Sequence, residues 1–303
     1  MNKRVLKILC APEPAFLLPG IPPVVIGTSL GAKAAGELDL LTACLAVLSI
    51  MCINAGSNML NDYFDHLSGN DWLNTNRTVF GGGSRYIQDG ILSPEQMRSA
   101  GLTALISGAL IGLVIVLISA SPVILLMGIV GVLAGVLWTL PPFSICYRMP
   151  GEAYIFTVFG ILPTAGAYYL QAGKFSPEIT APAVITGLLI AATALLNSIP
   201  DIEADRAAGK KTFPAVFGVK KAAAFYRCLI GLSYIIAIVS VSLECSFAGG
   251  AMFYLFVSPL GAACLISASE ERLSKKGVNL PNALNIAHYV CMAAASAAGI
   301  AAG

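Results

Sequence analysis

Charge is what this sequence has least of. Lysine, arginine, aspartate and glutamate make up 11% of its 303 residues, less than half the roughly one quarter usual in a soluble domain. That scarcity rules out an ordinary water-facing surface, and a hydrophobic content of 57% rules out a disordered chain. Histidine occurs only at His66 and His288, neither with a pair of cysteines nearby, so a tetrahedral zinc site lacks its ligands. The eight cysteines never stand at C-x-x-C spacing. Lying mostly in apolar segments, they read as small buried hydrophobes rather than as disulfide or zinc partners. A net charge of +2 with scattered cations argues against a nucleic-acid partner, which demands a clustered basic face. No small-residue cleavage site follows Lys3, Arg4 and Lys7, so no removable signal is expected.

What is abundant is apolar length. A bilayer-spanning helix needs about 20 mostly apolar residues, and runs of that order recur between short polar loops. They predict about nine transmembrane helices, near residues 15–32, 40–64, 96–119, 122–140, 153–170, 181–198, 222–241, 249–267 and 284–300. The fold class is therefore all-α, a polytopic membrane bundle forming a single domain over residues 1–303. Two similar four-helix halves around a central cavity are expected, because the two longest loops are four spans apart. Abundant Gly and Ala suit helices that pack closely in lipid. Lys and Arg crowd into the N-terminus and the even-numbered loops, leaving Lys33 and Lys174 on the other side. By the positive-inside rule the N-terminus and the even loops are cytoplasmic and the C-terminus is outside. Tyr168 and Tyr169, near the outer face, read as interfacial belt residues.

Two acidic clusters stand out against this background. The first reads Asn58-Met-Leu-Asn61-Asp62-Tyr63-Phe64-Asp65, followed by Asp71; the second reads Asn197-Ser-Ile-Pro-Asp201-Ile-Glu-Ala-Asp205. Asn61 and Asp65 are four residues apart, as are Asn197, Asp201 and Asp205, which puts each set on one helix face. Carboxylates so close repel unless a cation neutralises them. Mg²⁺ suits such oxygen ligands, and it commonly bridges one or two carboxylates to a substrate's phosphates. Arg77, Arg206, Lys210 and Lys211 follow the clusters and are placed to bind diphosphate oxygens. Solvated loop charges capping the helix ends are the plain alternative, but matched spacing at two span ends on one membrane face disfavours it. Asp62 and Glu203 point off the i, i+4 face and read as supporting or exposed groups.

Other positions carry weaker signals. Phe80-Gly81-Gly82-Gly83-Ser84-Arg85 is glycine-rich without the Lys-Ser/Thr ending of a P-loop, so an anion-binding loop and a flexible turn both stay open. Tyr147, Arg148 and Glu152 place an aromatic, a base and an acid beside the same cytoplasmic vestibule, although an interfacial anchor also accounts for Tyr147.

These residues resemble the UbiA superfamily of membrane prenyltransferases. The Asn-Asp-x-x-Asp signature matches Asn61-Asp62-Tyr63-Phe64-Asp65, and Asp-x-x-x-Asp matches Asp201 to Asp205. The likeness continues through Asp205-Arg206-Ala-Ala-Gly209-Lys210-Lys211-Thr212 and, in span layout, over essentially the whole chain. Asp71 departs from the pattern, standing six residues beyond Asp65 rather than four. Phe80 to Arg85 and Tyr147-Arg148-Met-Pro-Gly151-Glu152 resemble the branch that prenylates 1,4-dihydroxy-2-naphthoate in menaquinone synthesis.

The resemblance implies an Mg²⁺-dependent intramembrane enzyme with a polyprenyl diphosphate, an aromatic acceptor and membrane lipid as its partners. Two ions would bridge the diphosphate to Asn61, Asp65, Asp201 and Asp205, with Asp71 nearby. Arg77, Lys210, Lys211, Arg206 and Asn197 would hold phosphate. Ionisation would leave an allylic cation for the acceptor to attack, with Tyr147 and Arg148 at the reaction and Asp62, Ser84 and Glu152 supporting or orienting the acceptor. Attack at the carboxylated carbon with loss of CO₂ is expected for dihydroxynaphthoate. The acidic motifs serve 4-hydroxybenzoate or geranylgeranylglyceryl phosphate equally. A cation-coupled transporter and a head-group phosphotransferase are the rivals from other classes; transporter ion sites lie near the bilayer midplane, whereas these acids lie at span ends.

Overall fold

The computed structural model describes residues 17–74, 78, 83–149, 151–274 and 278–302. Helix starts follow local chemistry. A 3₁₀ turn leads into α1 (Ile21–Ala35), whose Pro22 and Pro23 sit where helix N–H groups have no partner anyway. Asp39 caps α2 (Leu40–Ser68), its carboxylate accepting from the Thr42 amide at 3.1 Å. A left-handed Gly69 ends α2 and begins the single turn α3 (Asn70–Leu73). Ser93 and Gln96 form a capping box on α4 (Pro94–Ser119), and Ser121 caps α5 (Pro122–Thr139).

Helix α6 (Gly151–Ala172) holds a π-helical stretch at Phe156–Ile161, immediately before Pro163. Proline donates no backbone hydrogen bond, and the wider turn accommodates that loss. Then come α7 (Thr180–Asn197), the short α8 (Ile202–Ala207), and α9 (Phe213–Ser242), which is broken at Gly218. Helices α10 (Ala248–Leu255) and α11 (Ser258–Ser267) meet at a 55° bend. The one-turn α12 (Glu270–Ser274) precedes α13 (Asn279–Ala302).

Among the described residues, seven helices are long and apolar enough to cross a membrane, and the bent pair makes an eighth if counted as one span. The described part of α1 is shorter. Helix α9 begins at Phe213 with a short segment that ends at the Gly218 break; the helix after the break starts within a few residues of the expected position, and Lys220 and Lys221, which read as loop charges, ride its first turn with Lys221 over the Phe217 ring. Helix α7 is the central strut: 78% of its apolar window is buried, against 17% for α5, whose outer face carries Leu126 and Leu133.

Close packing around α7 depends on missing side chains. A Cβ on Gly160 of α6 would lie 2.3 Å from the Cα of Gly187 of α7, so the two backbones touch as small-residue membrane interfaces allow. Beside them the Thr164 and Thr186 hydroxyls are 2.8 Å apart. Gly160→Leu should therefore lower the thermal midpoint in detergent by about 5 °C or more; an unchanged midpoint would show that the helices do not meet there. Asn285 of α13 accepts from the Tyr226 hydroxyl of α9 and donates to Thr193 of α7, joining three helices through polar groups satisfied inside the bundle.

Two expectations are corrected. The cysteines are not generally buried: Cys146 and Cys264 are, but Cys44, Cys228, Cys245 and Cys291 are exposed and free. Three of these lie on membrane-crossing helices, where lipid takes a small apolar side chain as readily as the core does. Cys10 lies outside the described residues. Tyr168 is no belt residue, being fully buried and donating its hydroxyl to Glu178.

Candidate active site

A cavity of about 260 Å³ opens where the two acidic segments meet. Helix α2 lines it with Asn54, Asn58, Asn61, Asp62 and Asp65, at spacings that keep a polar stripe on one face. Asp65 is the hub. The Asn61 amide donates to its Oδ2 at 2.8 Å, the Tyr147 hydroxyl donates to its Oδ1 at 2.6 Å, and Lys210 Nζ is 3.2 Å from Oδ2. The same ammonium is 4.0 Å from Asp205 Oδ1 and 5.0 Å from the centre of the Tyr147 ring. Lys210 reaches this position because the left-handed Gly209 turns the chain back at the end of α8 and the Lys210 amide then donates to the Asp205 carbonyl.

The second cluster is tied to the first. Asn74 donates to Asp201 Oδ1 at 2.7 Å and Asn70 donates to Asp205 Oδ1 at 3.3 Å, while the Thr212 hydroxyl donates to Asp205 Oδ2 at 2.8 Å. The segment after α2 thus crosses the cavity and holds the carboxylates on the far side. Asp62 and Asp71 anchor the loop that follows. Ser84 gives both its amide and its hydroxyl to Asp62, and Gln88 donates to Asp71 at 3.0 Å.

Among the described residues, six acidic side chains line the cavity against two basic ones, Arg148 and Lys210. Burial, then the charges of Asp62 and Asp65, pushes the Asp71 carboxyl up to about 8. Burial, then Asp205, pushes Asp201 up to about 6, and burial raises Asp205 as well. For Lys210, burial acts downward, but Asp65 and Asp205 outweigh it and hold the ammonium charged. Burial followed by the Asp65 charge raises Tyr147, keeping its phenol protonated.

Raised carboxyl values mean that folding favours the protonated acids, so their contribution is complete below the ordinary aspartate value and is lost as pH climbs through about 6 and about 8. In chelator, the thermal midpoint should fall between about pH 5 and about pH 8. A midpoint that rose over that interval would contradict the electrostatics described.

The donor set fits a hard divalent cation. Carboxylate and amide oxygens converge, and Asn70 Oδ1 and Asn197 Oδ1 are buried at the cavity without a hydrogen-bond partner, as oxygens reserved for a cation would be. No three His, Cys, Asp or Glu side chains among the described residues form a ready-made cage. Asparagine amides and the Lys210 ammonium stand between the acids, and Mg²⁺ characteristically completes its shell from substrate phosphate and water.

Of the expected site residues, Asn61, Asp62, Asp65, Asp71, Arg148, Glu152, Asn197, Asp201, Asp205 and Lys210 line the cavity. Tyr147 and Ser84 stand directly behind Asp65 and Asp62. Arg206 and Lys211 are turned away. Arg206 lies on the outer face of α8 with its Nε donating to the Ala215 carbonyl, and Lys211 is exposed, contributing only its backbone amide to Tyr147. The face of α8 that holds Asp205 inward necessarily sends its neighbour outward. Arg77 lies outside the described residues. Asn70, Asn74 and Thr212 were missed, although Asn70 and Asn74 repeat the four-residue spacing of the acidic motifs.

Known proteins resemble the chain in sequence and in fold. The chain is 29% identical to a 1,4-dihydroxy-2-naphthoate octaprenyltransferase of Escherichia coli over 68% of its own length and 67% of that protein. It is 30% identical to one of Mycobacterium tuberculosis over 75% of each. Its fold matches a UbiA homolog from Archaeoglobus fulgidus bound to DMAPP and Mg²⁺, with a TM-score of 0.71, 19% identity and 98% of each chain covered. The model of the UbiA prenyltransferase family matches residues 20–286, and with nearly nine-tenths of its length so matched, this chain belongs to that family.

Proposed function

We propose that this protein transfers a polyprenyl group from its diphosphate to 1,4-dihydroxy-2-naphthoate within the membrane, a step of menaquinone synthesis. The observation that carries the reading is the pair of acidic segments hydrogen-bonded across one cavity, whose other wall is Trp138, Ile155, Phe159 and Ile190. One side suits a metal-bound diphosphate and the other a hydrocarbon. The relatives named for dihydroxynaphthoate support the acceptor.

Asn61, Asp65, Asp201 and Asp205 would hold Mg²⁺, as two ions, with Asp71 and Asn197 completing the oxygen set. Bound there, Mg²⁺ supplies Lewis-acid neutralisation of the diphosphate oxygens. Lys210 and Arg148 add positive charge to the same oxygens, so the allylic C–O bond breaks with its electron pair leaving on diphosphate. Ile155, Phe159 and Ile190 keep water from the allylic cation, and the Trp138 ring offers it a π face. Arg148 and Glu152 orient the acceptor, while Tyr147 holds Asp65 in place. A ring carbon of the acceptor bonds to the cation, and the displaced carboxyl leaves as CO₂. The placement of Lys and Arg supports a cytoplasmic N-terminus and active site, with the C-terminus outside.

The test is product analysis. Purified protein with geranylgeranyl diphosphate and Mg²⁺ should convert dihydroxynaphthoate and release one diphosphate per product. Conversion of 4-hydroxybenzoate or geranylgeranylglyceryl phosphate instead would move the acceptor. No product and no diphosphate from a well-folded sample would overturn the enzyme reading in favour of transport.

A further inference from the structure

Helix α9 is longer than a membrane crossing requires. From Val219, after the break at Gly218, to Ser242 it spans about 36 Å at the helical rise, against a hydrocarbon core about 30 Å thick. The piece before the break, Phe213 to Phe217, is therefore left at the membrane surface, at the end of the bundle where Asp205 and Thr212 line the polar cavity. Gly218 has φ +80° and ψ 168°, and a Cβ there would meet nothing within 4 Å, so glycine serves the change of chain direction and not packing.

This piece has two faces. Pro214 and Ala215 are buried, whereas Val216 is 47% and Phe217 39% exposed. Lys221 Nζ lies 5.2 Å from the centre of the Phe217 ring, which sets a charge beside the exposed aromatic. Lys211 and Lys220 are exposed as well, and no aspartate or glutamate among the described residues forms an ion pair with any of the three lysines. Among the described residues from 201 to 227, Glu203 is the one exposed acid, against exposed Arg206, Lys211, Lys220, Lys221 and Arg227. Outward apolar side chains bracketed by unpaired lysines at the end of a span suit a segment seated in anionic headgroups.

The same piece is fastened to the carboxylates of the site. Thr212, the residue before it, donates to Asp205 Oδ2 at 2.8 Å, and Arg206 Nε of α8 donates to the Ala215 carbonyl at 2.6 Å. The Lys211 amide donates to the carbonyl of Tyr147, whose hydroxyl holds Asp65. We propose, resting on the prenyltransferase reading, that residues 211–221 anchor this end of the enzyme to anionic phospholipid. Val216 and Phe217 enter the headgroup layer, Lys211, Lys220 and Lys221 contact its phosphates, and the contact holds Asp205 and Lys210 where the diphosphate needs them. Turnover is thereby regulated by the charge of the leaflet. The occupant follows from position and charge: the segment runs directly into a crossing helix, and its lysines complement the negative surface of a cytoplasmic leaflet. Arg206 and Lys211, turned from the cavity, serve it from outside.

The test places the full chain in nanodiscs of phosphatidylcholine with and without phosphatidylglycerol. It compares wild type, the double variant Lys220→Gln/Lys221→Gln, and Lys33→Gln at the end of α1 away from the cavity. Amide exchange across residues 211–221 should slow about tenfold in wild type when phosphatidylglycerol is present, and that protection should vanish in the double variant and in high salt. The ratio of kcat/KM with phosphatidylglycerol to kcat/KM without it should fall about fivefold in the double variant and stay at the wild-type value in Lys33→Gln. Repulsion of anionic substrates by the lipid is common to all three proteins and cancels in that comparison. Exchange indifferent to lipid charge would overturn the anchor and leave this face to a protein partner. Equal turnover ratios in wild type and double variant would overturn its control of the site. If wild type prenylates no acceptor, the functional reading falls, and the exchange comparison by itself still decides whether the anchor exists.

Discussion

Asp65→Asn should reduce prenyl transfer about a thousandfold or more, a transition-state loss of about 4 kcal/mol, while leaving the protein folded. The substitution keeps the shape of the side chain and leaves Tyr147 an oxygen to donate to, but it removes the charge and puts a donor NH₂ where Oδ2 accepts from Asn61 and Lys210. Asp65 is where Asn61, Tyr147 and Lys210 converge within 3.2 Å, so on the proposed function its charge is the one most needed to hold a cation. The measurement is kcat/KM at saturating Mg²⁺, together with the thermal midpoint. A variant within tenfold of wild type would show that Asp65 holds no catalytic ion.

Lys210→Met should separate two roles in one experiment. Without divalent cation, Lys210 is the counter-charge for Asp65 at 3.2 Å and Asp205 at 4.0 Å, with its side chain only 11% exposed. Removing one partner of a buried ion pair costs about 3 kcal/mol, so the variant should be markedly less stable in chelator. Mg²⁺ should restore most of that stability by supplying positive charge to the same carboxylates. It should not restore the rate, which is expected to stay about a hundredfold low because the ammonium also stabilises the leaving diphosphate. Recovery of both stability and rate would show that Lys210 only balances charge.

How much of this was legible in the sequence depended on periodicity. The apolar runs located the long helices to within a few residues, because lipid demands internally satisfied backbone and continuous apolar length. They failed at α9, where Lys220 and Lys221 looked like loop and are helix, and at the α10–α11 bend, whose 55° angle leaves no mark in composition. The i, i+4 rule grouped Asn61 with Asp65 and Asp201 with Asp205, since residues four apart on a helix share a face, and all four line the cavity. It could not find the links between them. Asn70 and Asn74 act across more than 120 residues of chain, and only the fold brings those segments together. Proximity in sequence also misled: Arg206 and Lys211 flank the second motif, but Arg206 lies on the outer face of α8 and Lys211 is exposed in the turn that follows it.

On the proposed function, both acidic segments act together, through Mg²⁺, on one diphosphate. Calorimetric titration with geranylgeranyl thiolodiphosphate, which resists ionisation, tests it most directly in wild type, Asp65→Asn and Asp201→Asn, with Mg²⁺ and with chelator. Binding should appear only with Mg²⁺ and only in wild type, each single substitution weakening it about a hundredfold or more. Equal affinity with and without Mg²⁺, or loss in one variant alone, would contradict a site built from both clusters.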